Sequence, residues 1–186
     1  MVTDEAAPGR EDATAFEGLT AEQVARAYEL APLPVEGGWY RRTWAGDQDG
    51  TGRPAGSSIL LLLTDGDGFS ALHRLPIDEV WHFYRGDPVE LLLLHPDRGH
   101  RLVVLGGRGT SPRVQFTVPA GTWMGARVRA GGAWSLLGTT MAPGFRPTDY
   151  EGGDMGTLLA RYPERAELIR SLCRPGAATS MEQEVE

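Results

Sequence analysis

Hydrophobic and polar residues along the middle of the chain follow the pattern of short β-strands. Runs of four to eight β-prone residues are separated by clusters of Gly, Pro and Asp. We predict nine strands, at 39–44, 57–64, 69–75, 80–84, 89–95, 101–105, 114–118, 124–128 and 134–141. Regular short strands with turn residues between them are typical of an all-β sandwich or barrel.

Helical periodicity occurs at the two ends of this strand-rich region. Thr20 and Gln23 have the spacing of a capping box, which predicts the start of a helix. Its apolar stripe continues to Ala31, where two prolines end it. Apolar positions spaced three and four residues apart predict a single C-terminal helix over 156–172.

Length and composition favour one domain. A chain of 186 residues with 41% hydrophobic content can bury a substantial core. We expect residues 1–18 to form a disordered leader, 19–174 the domain, and 175–186 a flexible tail. Since the N-terminus lacks a signal peptide pattern and the apolar run 59–63 is far too short to span a membrane, we expect a cytoplasmic protein without a membrane partner.

Charge and residue usage exclude several classes of function. A net charge of −7 disfavours nucleic acid as a partner, because phosphate binding needs a clustered basic surface. All 18 basic residues are arginines, which excludes Schiff-base chemistry and a P-loop lysine. Cys173 is the single cysteine, so an intrachain disulfide is impossible and we interpret it as a structural thiol.

Two consecutive predicted strands carry the residues best suited to chemistry. His73 and Glu79 belong to residue types that serve as metal ligands or as general acids and bases. Period-2 alternation places Trp81 and Phe83 on the same face as Glu79, so we expect aromatic side chains in the pocket. The same alternation directs His82 to the opposite face.

Six segments carry a resemblance to a known family. They are PVEGGWYR at 34–41, FSALHR at 69–74, DEVWHFY at 78–84, GDP at 86–88, PAGTW at 119–123 and APGF at 142–145. With them, residues from about 33 to 172 resemble an uncharacterised cupin subfamily (DUF985-like), related in fold to the nucleotide-sugar 3,5-epimerases. The resemblance implies a cupin jelly-roll β-barrel, flanked here by an N-terminal and a C-terminal helix. It also implies a homodimer, with a small-molecule pocket lined by inward-facing side chains of the barrel.

The resemblance also indicates which residues would bind a divalent metal. Metal-binding cupins place further histidines at the positions that Leu75 and Met124 occupy here. His73 and Glu79 would then be the remaining ligands of a divalent metal, and two protein ligands bind such an ion weakly. We therefore expect no cofactor, with a metal held by His73 and Glu79 as the alternative.

Without a metal, His73 and Glu79 fit a general acid/base pair. An imidazole beside a partly buried carboxylate can exchange protons near neutral pH. The related epimerases imply a tyrosine partner, for which Tyr40, Tyr84 and Tyr150 remain alternatives. The competing interpretation is that His73 and Glu79 hydrogen-bond each other in a pocket that only binds.

A further set of residues is predicted to bind the substrate. It comprises Glu36, Trp39, Tyr40, Arg41, Trp81, Phe83, Trp123 and Met124. Arg41 and Arg42 are neighbours on one strand, so one faces the pocket and the other faces away. In the subfamily a glutamate usually occupies the place of Arg42, which here is either an anion-binding group or a solvated surface arginine.

Three functions are consistent with these features. The first is a metal-independent enzyme of specialised metabolism, of the epimerase, isomerase, dehydratase or cyclase type, acting on a small molecule. The second is a metal-dependent cupin oxygenase or isomerase. The third is a non-catalytic protein that binds a small ligand. Sequence alone leaves open whether the protein is an enzyme, although the ionisable pair favours one.

Overall fold

Residues 18–107, 112–176 and 178–181 are described by the computed structural model, and within them the strands form two antiparallel sheets. The strands are β1 (Ala31–Pro32), β2 (Trp39–Ala45), β3 (Ser57–Thr64), β4 (Ser70–Arg74), β5 (Glu79–Gly86), β6 (Val89–Leu94), β7 (His100–Leu105), β8 (Gln115–Val118), β9 (Trp123–Val128), β10 (Trp134–Met141) and β11 (Glu151–Gly152). One sheet has the order β1-β2-β3-β10-β5-β8 and the other β11-β4-β9-β6-β7. The helices are α1 (Ala21–Ala27), α2 (Met155–Arg161) and α3 (Ala166–Leu172).

Unbroken leucine runs in β3 and β6 reflect burial on both faces of each sheet. Leu61 of β3 and Leu93 of β6 point into the core between the sheets. Leu62, on the other face of β3, packs beneath α1. On the other face of β6, Leu92 and Leu94 pack beneath α2 and α3. A strand covered on both sides needs no polar alternation, which explains why these runs are continuous.

Helix α1 begins where the capping box predicts. The Thr20 hydroxyl accepts a hydrogen bond from the Gln23 amide at 3.3 Å, and the Gln23 side chain accepts one from the Thr20 amide at 2.7 Å. The helix ends at Ala27, short of the predicted end at Ala31. Glu29 adopts a left-handed backbone with φ of 53°, which turns the chain so that Ala31 can pair with β2.

The single helix predicted over 156–172 is wrong. The structure has α2 and α3 separated by a 3₁₀ turn at Pro163–Arg165. Proline lacks the amide hydrogen that a continuous helix would need, so the helix breaks there. Both pieces still bury one apolar face against the outside of the five-stranded sheet, through Leu158 in α2 and Ile169 in α3.

Two other features differ from the predicted boundaries. Strand β11 was not predicted, and it pairs with β4 by matching Gly152 to His73. Within the tail predicted at 175–186, residues 178–181 lie against β11, where the Gly152 amide donates to the Thr179 carbonyl at 2.8 Å. Nearly all of the predicted leader, and the last five residues of the tail, lie outside the described residues.

In the part of the chain that the structure describes, no helix is both long enough and apolar enough to cross a membrane.

Candidate functional site

A cavity of about 450 Å³ opens between the two sheets, a volume within the usual range for small-molecule sites. Strands β2, β3, β5 and β10 of one sheet face β4 of the other across it. The loop 33–36, the segment 145–150 and the tail at 178–181 complete its walls. Residues distant in sequence therefore meet at one place, and His73, Glu79 and Tyr150 are among the ionisable residues there.

His73 on β4 is fixed by a backbone contact. It is buried, and its Nδ1 lies 2.8 Å from the carbonyl oxygen of Ala71. A carbonyl only accepts hydrogen bonds, so Nδ1 carries a proton, and in the corresponding neutral tautomer the lone pair is on Nε2. The ring stacks on Tyr150 with centroids 5.1 Å apart. The imidazole is thus held in the tautomer that can take a proton at Nε2.

Glu79 opens β5 and lines the same cavity. The indole Nε1 of Trp81 donates to its Oε2 at 2.8 Å. Burial raises the pKa of Glu79 to about 7, because desolvation penalises the carboxylate. The nearby His73 lowers this pKa, the charge of Glu36 raises it, and hydrogen bonds from Thr139 and Trp81 lower it. A carboxyl group in this state can gain or lose a proton near neutral pH.

Tyr150 supplies a third ionisable group. Burial raises the pKa of its phenol, and the charge of Glu36 raises it further, so the hydroxyl stays protonated and can donate. Of the three tyrosines that the sequence left as alternatives, Tyr150 stacks on His73 and Tyr40 also lines the cavity. Tyr84 is 48% exposed and stacks on His82.

The loop that carries Glu36 is shaped to hold this side chain in the cavity wall. Glu36 accepts a hydrogen bond from the Ser70 hydroxyl at 2.6 Å, and its carbonyl accepts one from the Ala71 amide. Val35 has a φ of 65°, an unfavourable value for a β-branched residue. Gly37 has a φ of 97°, and a Cβ there would lie 2.7 Å from the Phe69 carbonyl. The glycine is required because the loop passes directly over the start of β4.

Two aromatic residues expected in the pocket lie outside the cavity lining and pack in or against the core between the sheets. Trp81 is fully buried in the core between the sheets, from where its indole reaches Glu79. Phe83 packs against the same core, with its ring beside Gly106. Both point to the same face as Glu79, as alternation predicts, but the cavity ends at Glu79 and close packing begins beyond it.

The other predicted binding residues outside the cavity have structural partners. Met124 pairs with His73 in register and is buried in the core between the sheets. Trp123 packs in the cluster beneath α2 and α3, with the Arg74 guanidinium over its ring. On β2, Trp39 packs with α1 on the outside of the six-stranded sheet, and Arg41 pairs there with Glu29 at 3.0 Å. Of the predicted binding set, Glu36 and Tyr40 line the cavity.

Several lining residues were not identified from the sequence as part of the site. Arg42, which the sequence left as either an anion-binding group or a solvated surface arginine, lines the cavity at an exposed position. Phe145 and Met181 also line it. The APGF segment was a signal for Phe145, whereas nothing local in the tail marks Met181. Thr139 pairs with Trp81 in register and lines the cavity from β10, a position that depends on strand pairing and not on a local sequence signal.

The donor set does not fit a tightly bound transition metal. Among the described residues, no group of three His, Cys, Asp or Glu side chains is arranged to hold a metal ion. Leu75 lines the cavity in one histidine position, and the other is taken by Met124 in the core. His82 hydrogen-bonds with Thr140 and Gln115 on the opposite face. His73 and Glu79 alone offer fewer protein ligands than catalytic metal sites use.

Comparisons with known proteins agree with this architecture. A family model described as Cupin superfamily (DUF985) matches residues 22–152. A solved protein from Shewanella oneidensis is 32% identical with a TM-score of 0.77, covering 84% of this chain and 98% of that one. A hypothetical protein from Leishmania major is 30% identical with a TM-score of 0.73, covering 83% of this chain and 99% of that one. No curated protein sequence matches the chain.

More distant structures share the fold alone. Bacillus subtilis oxalate decarboxylase, described with Mn(II) centres, is 13% identical with a TM-score of 0.52, covering 84% of this chain and 40% of that one. The predicted all-β jelly-roll barrel, with helices at both ends, is confirmed by these relatives and by the two-sheet structure.

Proposed function

Since the chain belongs to the Cupin superfamily (DUF985) family, we propose that it is an enzyme that uses its central cavity for metal-independent acid–base chemistry on a small molecule. One observation carries this proposal: His73, Glu79 and Tyr150 converge on one cavity, and the pKa of Glu79 there is about 7. Ionisable groups perturbed by burial and by specific neighbours in a cleft are characteristic of functional sites.

The three groups can share a proton transfer next to a carbonyl group. Nε2 of His73 takes the proton from the carbon, and the bonding electrons move into the carbonyl to form an enolate. The Tyr150 hydroxyl donates a hydrogen bond to the enolate oxygen, which stabilises the developing charge. When it is ionised, the Glu79 carboxylate stabilises the imidazolium that forms. Epimerisation then requires a second acid that delivers a different proton to the opposite face. Return of the His73 proton to another carbon gives isomerisation, and loss of a leaving group from the adjacent carbon gives elimination.

Hydrogen–deuterium exchange tests the chemistry even when the final product is unidentified, because it detects the first proton transfer. A panel of 2-oxo acids, 3-oxo esters and ketones is incubated with the protein in D₂O with a chelator present. Loss of the signal of the C–H next to the carbonyl is followed by proton NMR. We expect the wild-type protein to accelerate exchange of at least one member of the panel.

Variants assign the exchange to the cavity. His73→Asn keeps a side-chain donor for the Ala71 carbonyl but removes Nε2, and it should slow exchange by about 100-fold, the usual scale of acid–base catalysis. Tyr150→Phe and Glu79→Gln should slow it by about tenfold or more. His82→Asn and Tyr84→Phe make the same replacements outside the cavity and should keep the wild-type rate.

Two results would remove the proposal. Unchanged exchange in His73→Asn would show that the imidazole is not the base. Ligand binding by members of the panel, without exchange in any of them, would support a protein that only binds its ligand.

A further inference from the structure

The register of β2 determines which of the adjacent residues Arg41 and Arg42 faces the cavity. Tyr40 and Arg42 point inward and line the cavity with Ile59, the register partner of Arg42. Arg41 points outward and pairs with Glu29 on the outside of the sheet. The two guanidinium groups follow each other in sequence but lie on opposite faces of the sheet.

Charges within the cavity are arranged unevenly. Glu36 is partly buried and Glu79 fully buried, and neutral donors hold both, the Ser70 hydroxyl and the Trp81 indole. Arg42 is the one arginine among the described residues that line the cavity, and it lies at an exposed position. Among the described lining residues, the guanidinium group therefore lies at an exposed position, whereas the two carboxyl groups lie at more buried ones.

The remaining walls of the cavity are mainly apolar. They include Leu33, Ile59, Met141, Phe145 and Met181. Such walls favour a ligand with an apolar hydrocarbon part over a strongly hydrated ligand. A guanidinium group binds carboxylate or phosphate oxygens through two parallel hydrogen bonds, which fixes both position and orientation.

We propose that the cavity takes a small organic anion, with its carboxylate or phosphate bound by Arg42 and its apolar body directed inward. The orientation of the reacting carbon toward His73 rests on the proposed function, whereas recognition of the anion does not. An anion bound at Arg42 keeps its charge away from Glu36 and Glu79, which would repel it deeper in the cavity. Arg42 is thus a specificity-determining residue at the entrance.

The affinities of two anions and of a neutral amide test this recognition directly. The probes are 3-phenylpropanoate, its neutral isostere 3-phenylpropanamide, and phenyl phosphate, and calorimetry measures their affinities. We expect the wild-type protein to bind one or both anions at least about tenfold more tightly than the amide. The two anions distinguish a carboxylate ligand from a phosphate monoester.

Neighbouring substitutions provide the control. Arg42→Gln should abolish the preference for the anion and leave the amide affinity unchanged. Arg41→Gln makes the same change in net charge on the opposite face and should keep the preference. Arg42→Lys keeps the charge but loses the paired donors, so it should recover only part of the affinity.

Three results would overturn the inference: no preference for either anion in the wild-type protein, full preference in Arg42→Gln, or an equal loss in Arg41→Gln. Failure of the exchange experiments with intact anion preference would remove the acid–base proposal alone. Loss of anion preference with intact exchange would remove this inference alone.

Discussion

Glu79 illustrates how a single buried carboxyl group can serve function at the expense of stability. Its side chain accepts a hydrogen bond from Trp81, but no guanidinium group pairs with it among the described ion pairs. The neighbouring charge of Glu36 raises its pKa further. The cavity therefore stabilises the protonated form of Glu79, and ionisation of Glu79 should destabilise the folded protein.

This effect predicts a pH-dependent stability. The pKa of Glu79 is about 7 in the folded protein, against an ordinary value of 4.5. Stability contributed by its bound proton is complete below about 4.5 and is lost as the pH rises through about 7. Between pH 5 and pH 8 the wild-type protein should lose more free energy of unfolding than Glu79→Gln, by an amount on the order of 3 kcal/mol.

Urea unfolding at the two pH values measures the difference. Glu151→Gln removes a carboxylate that is half-exposed on β11 and should keep the wild-type pH dependence. The same pH dependence in the wild-type protein and Glu79→Gln would show that Glu79 ionises in the folded state as easily as in the unfolded state.

At the scale of elements, the segment that carries Tyr150 is held by an ion pair from a distant loop. Arg53 donates to both carboxylate oxygens of Asp149, at 2.6 and 2.8 Å, and also to the Gly144 carbonyl. Both side chains of the pair are largely buried, with 18% and 10% of their surface exposed. The loop 46–56 thereby fixes the residue next to Tyr150.

Arg53→Lys should destabilise the protein by about 1–3 kcal/mol, because lysine keeps the charge but cannot make the paired hydrogen bonds. Arg74→Lys changes a similar but more exposed pair with Glu151 and should cost less than about 1 kcal/mol. Chemical denaturation of both variants tests the comparison. Equal losses would show that burial of the Arg53 pair adds no stability.

The tail at 178–181 forms another element of the site. Its contact with β11 is close, since a Cβ added to Gly152 would lie 3.0 Å from the Thr179 Cα. Ala178, Ser180 and Met181 line the cavity beside this contact. The tail therefore depends on β11 for its position, and β11 in turn pairs with the strand of His73.

Amide exchange can detect this tail contact. A chain ending at Gly176 lacks the Thr179 carbonyl, so exchange of the Gly152 amide should accelerate by about tenfold or more. The Gly153 amide donates to the Leu72 carbonyl within the domain and should remain protected, which also reports that the truncated chain is folded. Unchanged protection of Gly152 would place the tail away from β11 in solution.

For the whole molecule, local sequence rules predicted the elements better than the site. Alternation correctly placed Glu79, Trp81 and Phe83 on one face of β5. Periodicity identifies a face but not a depth, and the inner face of β5 passes from cavity wall to closed core within two residues. Trp81 was therefore assigned to the pocket although the structure buries it.

Features made by long-range contacts gave little local signal. Strand β11 has two residues, too few for a period, and it is defined by pairing with β4. Tyr150 could not be chosen from three tyrosines by spacing, because its position depends on the ion pair at Asp149. The fold itself was predictable because turns, caps and the family resemblance all indicated the same barrel.

The whole-molecule prediction concerns metal content. Because His73 and Glu79 lack further protein ligands in the described structure, we expect well below one transition-metal ion per chain by elemental analysis. Incubation with Mn²⁺ or Zn²⁺ followed by desalting should leave this content unchanged. A stoichiometric ion that is lost in His73→Asn would instead establish a metal-dependent cupin.

The position of Met181 has a practical consequence for handling the protein. Five residues separate it from the end of the sequence, a reach of roughly 17 Å when extended. A polyhistidine purification tag fused there would put imidazoles within reach of the cavity that Met181, His73 and Glu79 line. Helix α1 lies on the outer face of the six-stranded sheet, away from the cavity, so the purification tag is better placed at the N-terminal end. Metal bound by a protein with a C-terminal tag would reflect the imidazoles of the tag and not a native metal site.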